Sequence, residues 1–329
     1  MRLTRSPVVK VYHGYGNKQH VIVFGHVLKL SPLPRKKYRS NFITNSFALL
    51  RSFMVRPWAG AILQLIWNDE TFETKSEYDG FYRFEWFPGV SVNTGWLPLQ
   101  VHLLNPATGD ILATGEGLVF IPHTYQYAII SDIDDTFLIS HSSNLRKRLY
   151  VLFTKNAHSR KSFAGVVRHY QLLATAAALE NLPNPFFYVS SSEWNLYDFI
   201  YEFSRKNELP KGIFLLSQLK LFKEILNTGQ NRHATKFMRI VRIIEAYPEQ
   251  RFILLGDDSQ EDPNIYASVV KHFPGKIHAV YLRHVYKSNQ ANVKNKIQEM
   301  EKAAVLCCYF SHSEEAIKHS MEMGLIASI

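Results

Sequence analysis

The chain has 329 residues, 46% hydrophobic and 20% charged. That balance excludes disordered, collagen-like and disulfide-scaffold classes, and the length suits two domains. Lysine and arginine number 38 against 28 aspartate and glutamate, a formal charge of +10. The surplus favours polyanionic partners: nucleic acid, an anionic membrane or a phosphate-bearing substrate.

Residues 1–16 carry Arg2 and Arg5 with no apolar run after them, so no secretory signal is expected. The longest apolar region, 47–67, is broken by Arg51, Arg56 and Pro57 and falls short of a membrane span. Cys307 and Cys308 are adjacent, which suits neither a disulfide nor a zinc site, and their setting (AAVLCCYF) reads as core. The expectation is a cytoplasmic protein, at most peripheral at the inner face of the membrane.

Residues 20–122 hold short strand-like runs. Segment 20–30 (HVIVFGHVLKL) is the first, followed by a basic, proline-broken stretch, 31–40, and by 41–54 with helix-like apolar spacing. Segment 61–67 (AILQLIW) is β-prone, and Asp79-Gly80 is a turn pair ahead of FYRFEW. Segments 97–104 and 111–121 flank the turn residues NPATGD. Short strands with regular turn signals predict a β-sandwich-like domain over 1–125.

From about residue 126 the pattern changes to strands alternating with helices. Apolar runs YAII (127–130), FFYV (186–189), GIFLL (212–216), FILL (252–255) and IHAVYL (277–282) read as strands. Helices are expected within 142–180, 194–206, 233–247 and 263–272, and two more helical stretches close the chain. This predicts an α/β domain with a parallel sheet over 126–329.

In an open α/β sheet, functional groups sit beyond the C-terminal ends of the strands. Here YAII runs into Ser131-Asp132-Ile133-Asp134-Asp135-Thr136. FFYV runs into Ser190, Ser191 and Ser192, and FILL runs into Gly256-Asp257-Asp258-Ser259-Gln260-Glu261-Asp262. Carboxylate clusters converging on one edge need a cation, and an all-oxygen set suits Mg²⁺. A carboxylate beside Mg²⁺ and a lysine can attack phosphorus, and a second carboxyl can hold the proton for the leaving alkoxide. A hydroxyl and an ammonium can bind the phosphoryl oxygens.

The set DIDDT (132–136), Ser190, Lys236 and GDDSQED (256–262) resembles the motifs of haloacid-dehalogenase-like phosphohydrolases, with their Rossmann-like parallel sheet. More closely, FFYVSSSEWNLYDFI, ELPKGIFLL, TKFMRIVRIIEAYP and FILLGDDSQEDPNIYASVVKHFPGKIHAVYLRHV are similar to the catalytic domain of actin-patch-type phosphatidate phosphatases. The first half is similar to the β domain that precedes it in bacterial members. The resemblance implies Asp132 as nucleophile and Asp134 as general acid and base. It implies Lys236 and Ser190, with Thr136 and Ser191, around the phosphoryl group. Asp132, Asp134 (through its carbonyl) and Asp257 would hold Mg²⁺, supported by Asp262. Ser191 and Ser192 also read as helix N-caps. Three positions depart from the family pattern: Thr235 precedes the lysine where histidine is usual, Glu193 replaces a proline and Asp258 a serine.

The resemblance implies phosphatidate as the phosphomonoester substrate, with no specific nucleic-acid partner. The residues alone leave open a phosphatase for soluble phosphomonoesters or polynucleotide ends, or a non-catalytic membrane adaptor. The basic segments 35–39 (RKKYR) and 145–161 (LRKRLYVLFTKNAHSRK) read either as contacts for an anionic membrane or as solvated faces.

Overall fold

The computed structural model describes residues 6–31, 54–88, 92–124, 126–133, 157–177, 182–217, 232–258, 261–285 and 290–327, with backbone alone for 157–164, 191 and 232–235. The chain divides into two compact units. One comprises Met1–His123 with Glu193–Leu196 and Gln218–Thr228; the other comprises Thr124–Ser192, Tyr197–Ser217 and Gly229–Ile329.

The first unit holds strands β1 (Val8–Val11), β2 (Gly14–Gly16), β3 (Val21–Leu30), β4 (Arg56–Pro57), β5 (Ile62–Trp67), β6 (Glu70–Lys75), β7 (Phe81–Trp86), β8 (Gly95–Leu104) and β9 (Ile111–Ile121). Hydrogen bonds connect all nine strands into a single sheet. The long β3 makes this possible. Its residues Val21 and Ile22 pair with β2 along one edge and with β7 along the other. The sheet closes over its own core, where Trp67 and Trp86 meet edge to face at 5.3 Å. Val23, Leu63, Val101 and Val119 are fully buried in that core.

The Asp79-Gly80 turn forms as expected. Asp79 Oδ1 accepts from the Phe81 amide at 3.0 Å, and Gly80 takes φ +80°. Strand β6 escapes the sequence reading because its residues, ETFETK, are mostly polar and exposed. It is joined to β5 through Asn68 and Asp69, both at positive φ. These residue types tolerate that conformation in tight hairpins. Trp194 belongs to this unit, its ring stacked on Tyr12 at 4.3 Å.

The second unit alternates as predicted: β10 (Tyr127–Asp132), α1 (Ala157–Thr175), β11 (Phe186–Glu193), α2 (Tyr197–Lys206), β12 (Gly212–Ser217), α3 (Arg232–Ala246), β13 (Arg251–Asp257), α4 (Asp262–His272), β14 (Ile277–Arg283), α5 (Gln290–Glu301), β15 (Leu306–Phe310) and α6 (Ser313–Glu322). The strand order is β12-β11-β10-β13-β14-β15. Strand β10 pairs in parallel with β11 and β13, as do β13 with β14 and β14 with β15. Central strands β10 and β13 are buried along nearly their whole length. Continuous apolar runs are what a sheet covered on both faces requires. Numbered within the sheet, the order is 3-2-1-4-5-6, and it reverses between β10 and β13. At such a switch point the connections leave in opposite directions and open a crevice at the strand C-termini.

Three expectations change. A strand, β15, lies between the two closing helices; its five residues were read as core without a direction. Cys307 and Cys308 sit on this strand at the sheet edge and are only half-buried, although burial still pushes both thiols up to about 12. Ser191 and Ser192 are not helix N-caps, because β11 continues through Glu193 and a 3₁₀ turn, Trp194–Leu196, precedes α2. The helix expected at 41–54 and most of the basic segments fall outside the described residues. Among the described residues, no helix is long and apolar enough to cross a membrane.

Candidate active site

Asp132 ends β10 and Asp257 ends β13, the two strands that flank the switch point. The register pairs Ser131 with Leu255, so both aspartates emerge together at the C-terminal edge. On the other side of β10, Asp132 pairs with Val189, which places Ser190 one residue beyond it. Three of the groups picked out in the sequence are thus neighbours because the parallel register brings residues 132, 190 and 257 to the same level of three adjacent strands.

Helix α3 supplies the cation. Lys236 Nζ donates to Asp132 Oδ1 at 2.8 Å and also to Asp262 Oδ1. All three side chains are buried. Burial alone would lower the lysine pKa. The charges and hydrogen bonds of Asp132 and Asp262 outweigh it and hold the ammonium above its ordinary value. Lys236 is therefore a fixed positive charge and a donor, not a base. Three residues on, the same face of α3 presents Arg239, as helical spacing requires. Arg239 donates to the Ser190 carbonyl at 3.0 Å and to Ser217 Oγ at 3.2 Å, tying the ends of β11 and β12 together.

Asp262 opens α4, where the helix dipole favours a carboxylate. Its Oδ2 accepts from the Asp257 amide at 3.4 Å. Gly256 leaves room for this arrangement: a Cβ there would meet Asp262 Oδ2 at 2.4 Å and the Tyr266 ring at 2.8 Å. Ser190 Oγ accepts from the Ser192 amide at 2.9 Å, which orients the hydroxyl. Below Asp132, Ser131 Oγ bonds the buried Tyr170 hydroxyl at 2.8 Å. Burial raises the Tyr170 phenol well above its ordinary pKa, so it stays protonated.

Asp132 and Asp257 are the carboxylates at the switch point that could hold a cation. Among the described residues no group of three or more His, Cys, Asp or Glu is placed to bind a metal. Asp134 and Thr136 lie outside the described residues, as does the Ser191 side chain.

Residues 127–284 match the family described as phosphatidate phosphatase APP1, catalytic domain. That segment belongs to this family. The phosphatidate phosphatase APP1 of Saccharomyces cerevisiae is 31% identical over 162 residues, covering 48% of this chain and 26% of the yeast protein. An uncharacterized protein of Schizosaccharomyces pombe, C29B5.04c, is 22% identical over 160 residues, covering 48% and 25%. The match thus spans about a quarter of the length of each relative. Among solved structures, a carbohydrate acetylesterase from Xanthomonas citri covers 97% of this chain and 74% of its own at 9% identity and a TM-score of 0.37. A likeness of that size carries no argument.

Within the APP1 catalytic segment the structure explains the departure at Asp258. Its Oδ1 accepts from the Val285 amide at 2.7 Å, and its Oδ2 from His284 Nδ1 at 2.7 Å and Tyr309 OH at 2.6 Å. A carboxylate here joins the ends of β13, β14 and β15, which a serine could not reach. Sequence reading missed Arg239, Tyr170, His284 and Arg283. Arg239 was open to detection, since it lies one helical turn beyond Lys236. The neighbours of the others are revealed only by the fold.

Proposed function

We propose that the chain is a Mg²⁺-dependent phosphomonoesterase of haloacid-dehalogenase-like architecture, with phosphatidate as its substrate. The observation that supports this most is the bridge from Lys236 to Asp132 and Asp262 at the switch point of a sheet whose sequence belongs to the APP1 catalytic family. The catalytic domain is taken as 126–329, preceded by the β domain over 1–125.

The donor set fits Mg²⁺. Among the described residues, four aspartates are buried at this edge of the sheet, Asp132, Asp257, Asp258 and Asp262, against two buried cations, Lys236 and Arg283. Two negative charges are left over, and carboxylate oxygens are the ligands a hard divalent cation takes. Asp132, Asp257 and the backbone carbonyl of Asp134 would hold it. When bound, Mg²⁺ would offset charge on the phosphoryl oxygens.

The chain's own residues do the rest. A carboxylate oxygen of Asp132 attacks phosphorus and the bond to the ester oxygen breaks. Asp134 gives its proton to the departing alkoxide, here the diacylglycerol oxygen. Asp134, now ionised, then takes a proton from water as that water attacks the aspartyl-phosphate. Inorganic phosphate leaves and Asp132 is restored. Lys236 fixes the Asp132 carboxylate and offsets charge in both transition states, because two carboxylates keep it protonated. Ser190, with Thr136 and Ser191, binds the equatorial oxygens.

The excess of basic residues and the segment 145–161 support peripheral contact with an anionic membrane from the cytoplasmic side. The deciding experiment is phosphate release across a panel: phosphatidate in micelles, lysophosphatidate, sugar phosphates and 3′- or 5′-phosphorylated oligonucleotides, with and without EDTA. Turnover of phosphatidate above the rest, lost in EDTA and restored by Mg²⁺, is expected. Preference for a soluble ester would reassign the substrate, and no release from any member would leave a binding protein.

A further inference from the structure

Of the described lysines and arginines, only Lys236 and Arg283 are buried. Lys236 serves two carboxylates, whereas Arg283 has no part in the reaction above. It ends β14 in register with Asp257 at the end of β13. Paired residues of adjacent strands point to the same face of a sheet, so the two side chains lie side by side. Arg283 Nη2 donates to Ser313 Oγ at 2.6 Å, and its guanidinium carbon sits 5.3 Å from the centre of the Phe310 ring. Its Nε has no hydrogen-bond partner among the described residues. None of the ion pairs among the described residues includes it. Beside it lies a cavity with room for about one water molecule, lined also by Gly256, Tyr170 and His169.

A buried guanidinium without a direct pair is costly unless a nearby opposite charge compensates it through space. The carboxylates whose charge acts on Arg283 are Asp257, Glu314 and Glu315, and the two glutamates are exposed and screened by solvent. We infer that Arg283 is the countercharge of Asp257, a positioning residue that steadies this carboxylate before a cation arrives and weakens its hold on the cation afterwards. The second half rests on the metal site proposed above; the first does not. Phe310 and Ser313 keep the guanidinium from swinging into a direct pair.

The test is a double-mutant cycle on the full chain, with Arg283→Met and Asp257→Asn made singly and together. Denaturant unfolding in EDTA is the readout. Arg283→Met should raise the unfolding constant ~100-fold in the native background and less than about tenfold when Asp257 is already Asn. Arg283→Lys, which keeps the charge, should recover most of the loss. Equal losses in both backgrounds overturn the inference. Arg283→Gln is the second neutral variant should the methionine one not fold. Calorimetric titration of Mg²⁺ tests the second half: Arg283→Met should bind the ion ~tenfold more tightly than the native chain. Unchanged affinity overturns that half. A native chain that binds no Mg²⁺ refutes the metal reading instead, and the cycle in EDTA still decides for or against Arg283.

Discussion

Lys236 Nζ donates to Asp132 Oδ1 at 2.8 Å across 104 residues of chain. The same nitrogen reaches Asp262, so one buried ammonium joins the end of the first central strand to the start of α4. Loss of the lysine would leave two buried carboxylates facing each other, whereas loss of either carboxylate would leave one balanced ion pair.

Lys236→Met is therefore expected to cost both stability and turnover. Removing one partner of a buried charge set destabilises by about 3–5 kcal/mol. Chemical denaturation checks this, and a midpoint within error of the native chain would contradict the geometry. Lys236→Arg should also fail in phosphate release, since a planar fork does not replace a point charge between two carboxylates.

Asp132→Asn is expected to leave a folded protein with negligible phosphate release. Asp134→Asn should be impaired mainly with alkyl esters, because an aryl leaving group needs less protonation. Equal loss on alkyl and aryl phosphates would remove Asp134 from the role of acid.

Gly256→Ala tests the packing around the bridge. The new methyl would meet Asp262 Oδ2 and the Tyr266 ring, and Tyr266 is anchored by its hydroxyl to the Leu255 carbonyl at 2.8 Å. Neither neighbour can yield without moving the start of α4. A destabilisation of about 1–3 kcal/mol is expected, together with loss of phosphate release. A variant as stable and active as the native chain would show that Asp262 is free to move.

Acid should unfold the protein through two buried histidines, one in each unit. Burial, with Lys10 nearby, lowers His26 from 6.5 to about 3. Burial, with Arg283 and His319, lowers His169 to about 3. The unfolded chain takes up protons on both below about pH 6.5, whereas the folded chain does so only near pH 3. Their contribution to stability is thus intact above pH 6.5 and is lost progressively as the pH falls toward 3. At pH 5 the loss is about 2 kcal/mol for each. Urea midpoints at pH 7.5 and pH 5 measure it, and His169→Gln should flatten part of the dependence. Identical midpoints at the two pH values would show that these imidazoles are not held neutral.

The alternation of the second half was legible because its strands are continuous apolar runs and its helices carry a stripe, as Ile240, Val241 and Ile244 show in α3. The first half was legible at its turns, Asp79-Gly80 and 105–110, where residue type dictates backbone conformation. Strand β6 was not, since an exposed strand needs no apolar face. Strand β15 was not either, since five residues can read as helix, strand or loop. Which strand pairs with which was not legible, because periodicity reports which side of a strand is buried and not which strand lies beside it.

The site divides in the same way. Sequence alone determined the chemistry available: carboxylates after two apolar strands, hydroxyls after a third, a lysine on the helix before the last, and a family resemblance over the catalytic segment. These are local properties, set by residue type and spacing. Tertiary structure decided which of them meet. Strand order placed Asp132 and Asp257 on either side of the switch point, and α3 carried Lys236 to Asp132 and Asp262. Register set Arg283 beside Asp257, and Asp258 went to the Tyr309 and His284 side of the sheet. Hydrogen-bond pairing between strands far apart in the chain leaves no periodic trace in the residues, so charge balance in the interior could be read only after the strands were paired.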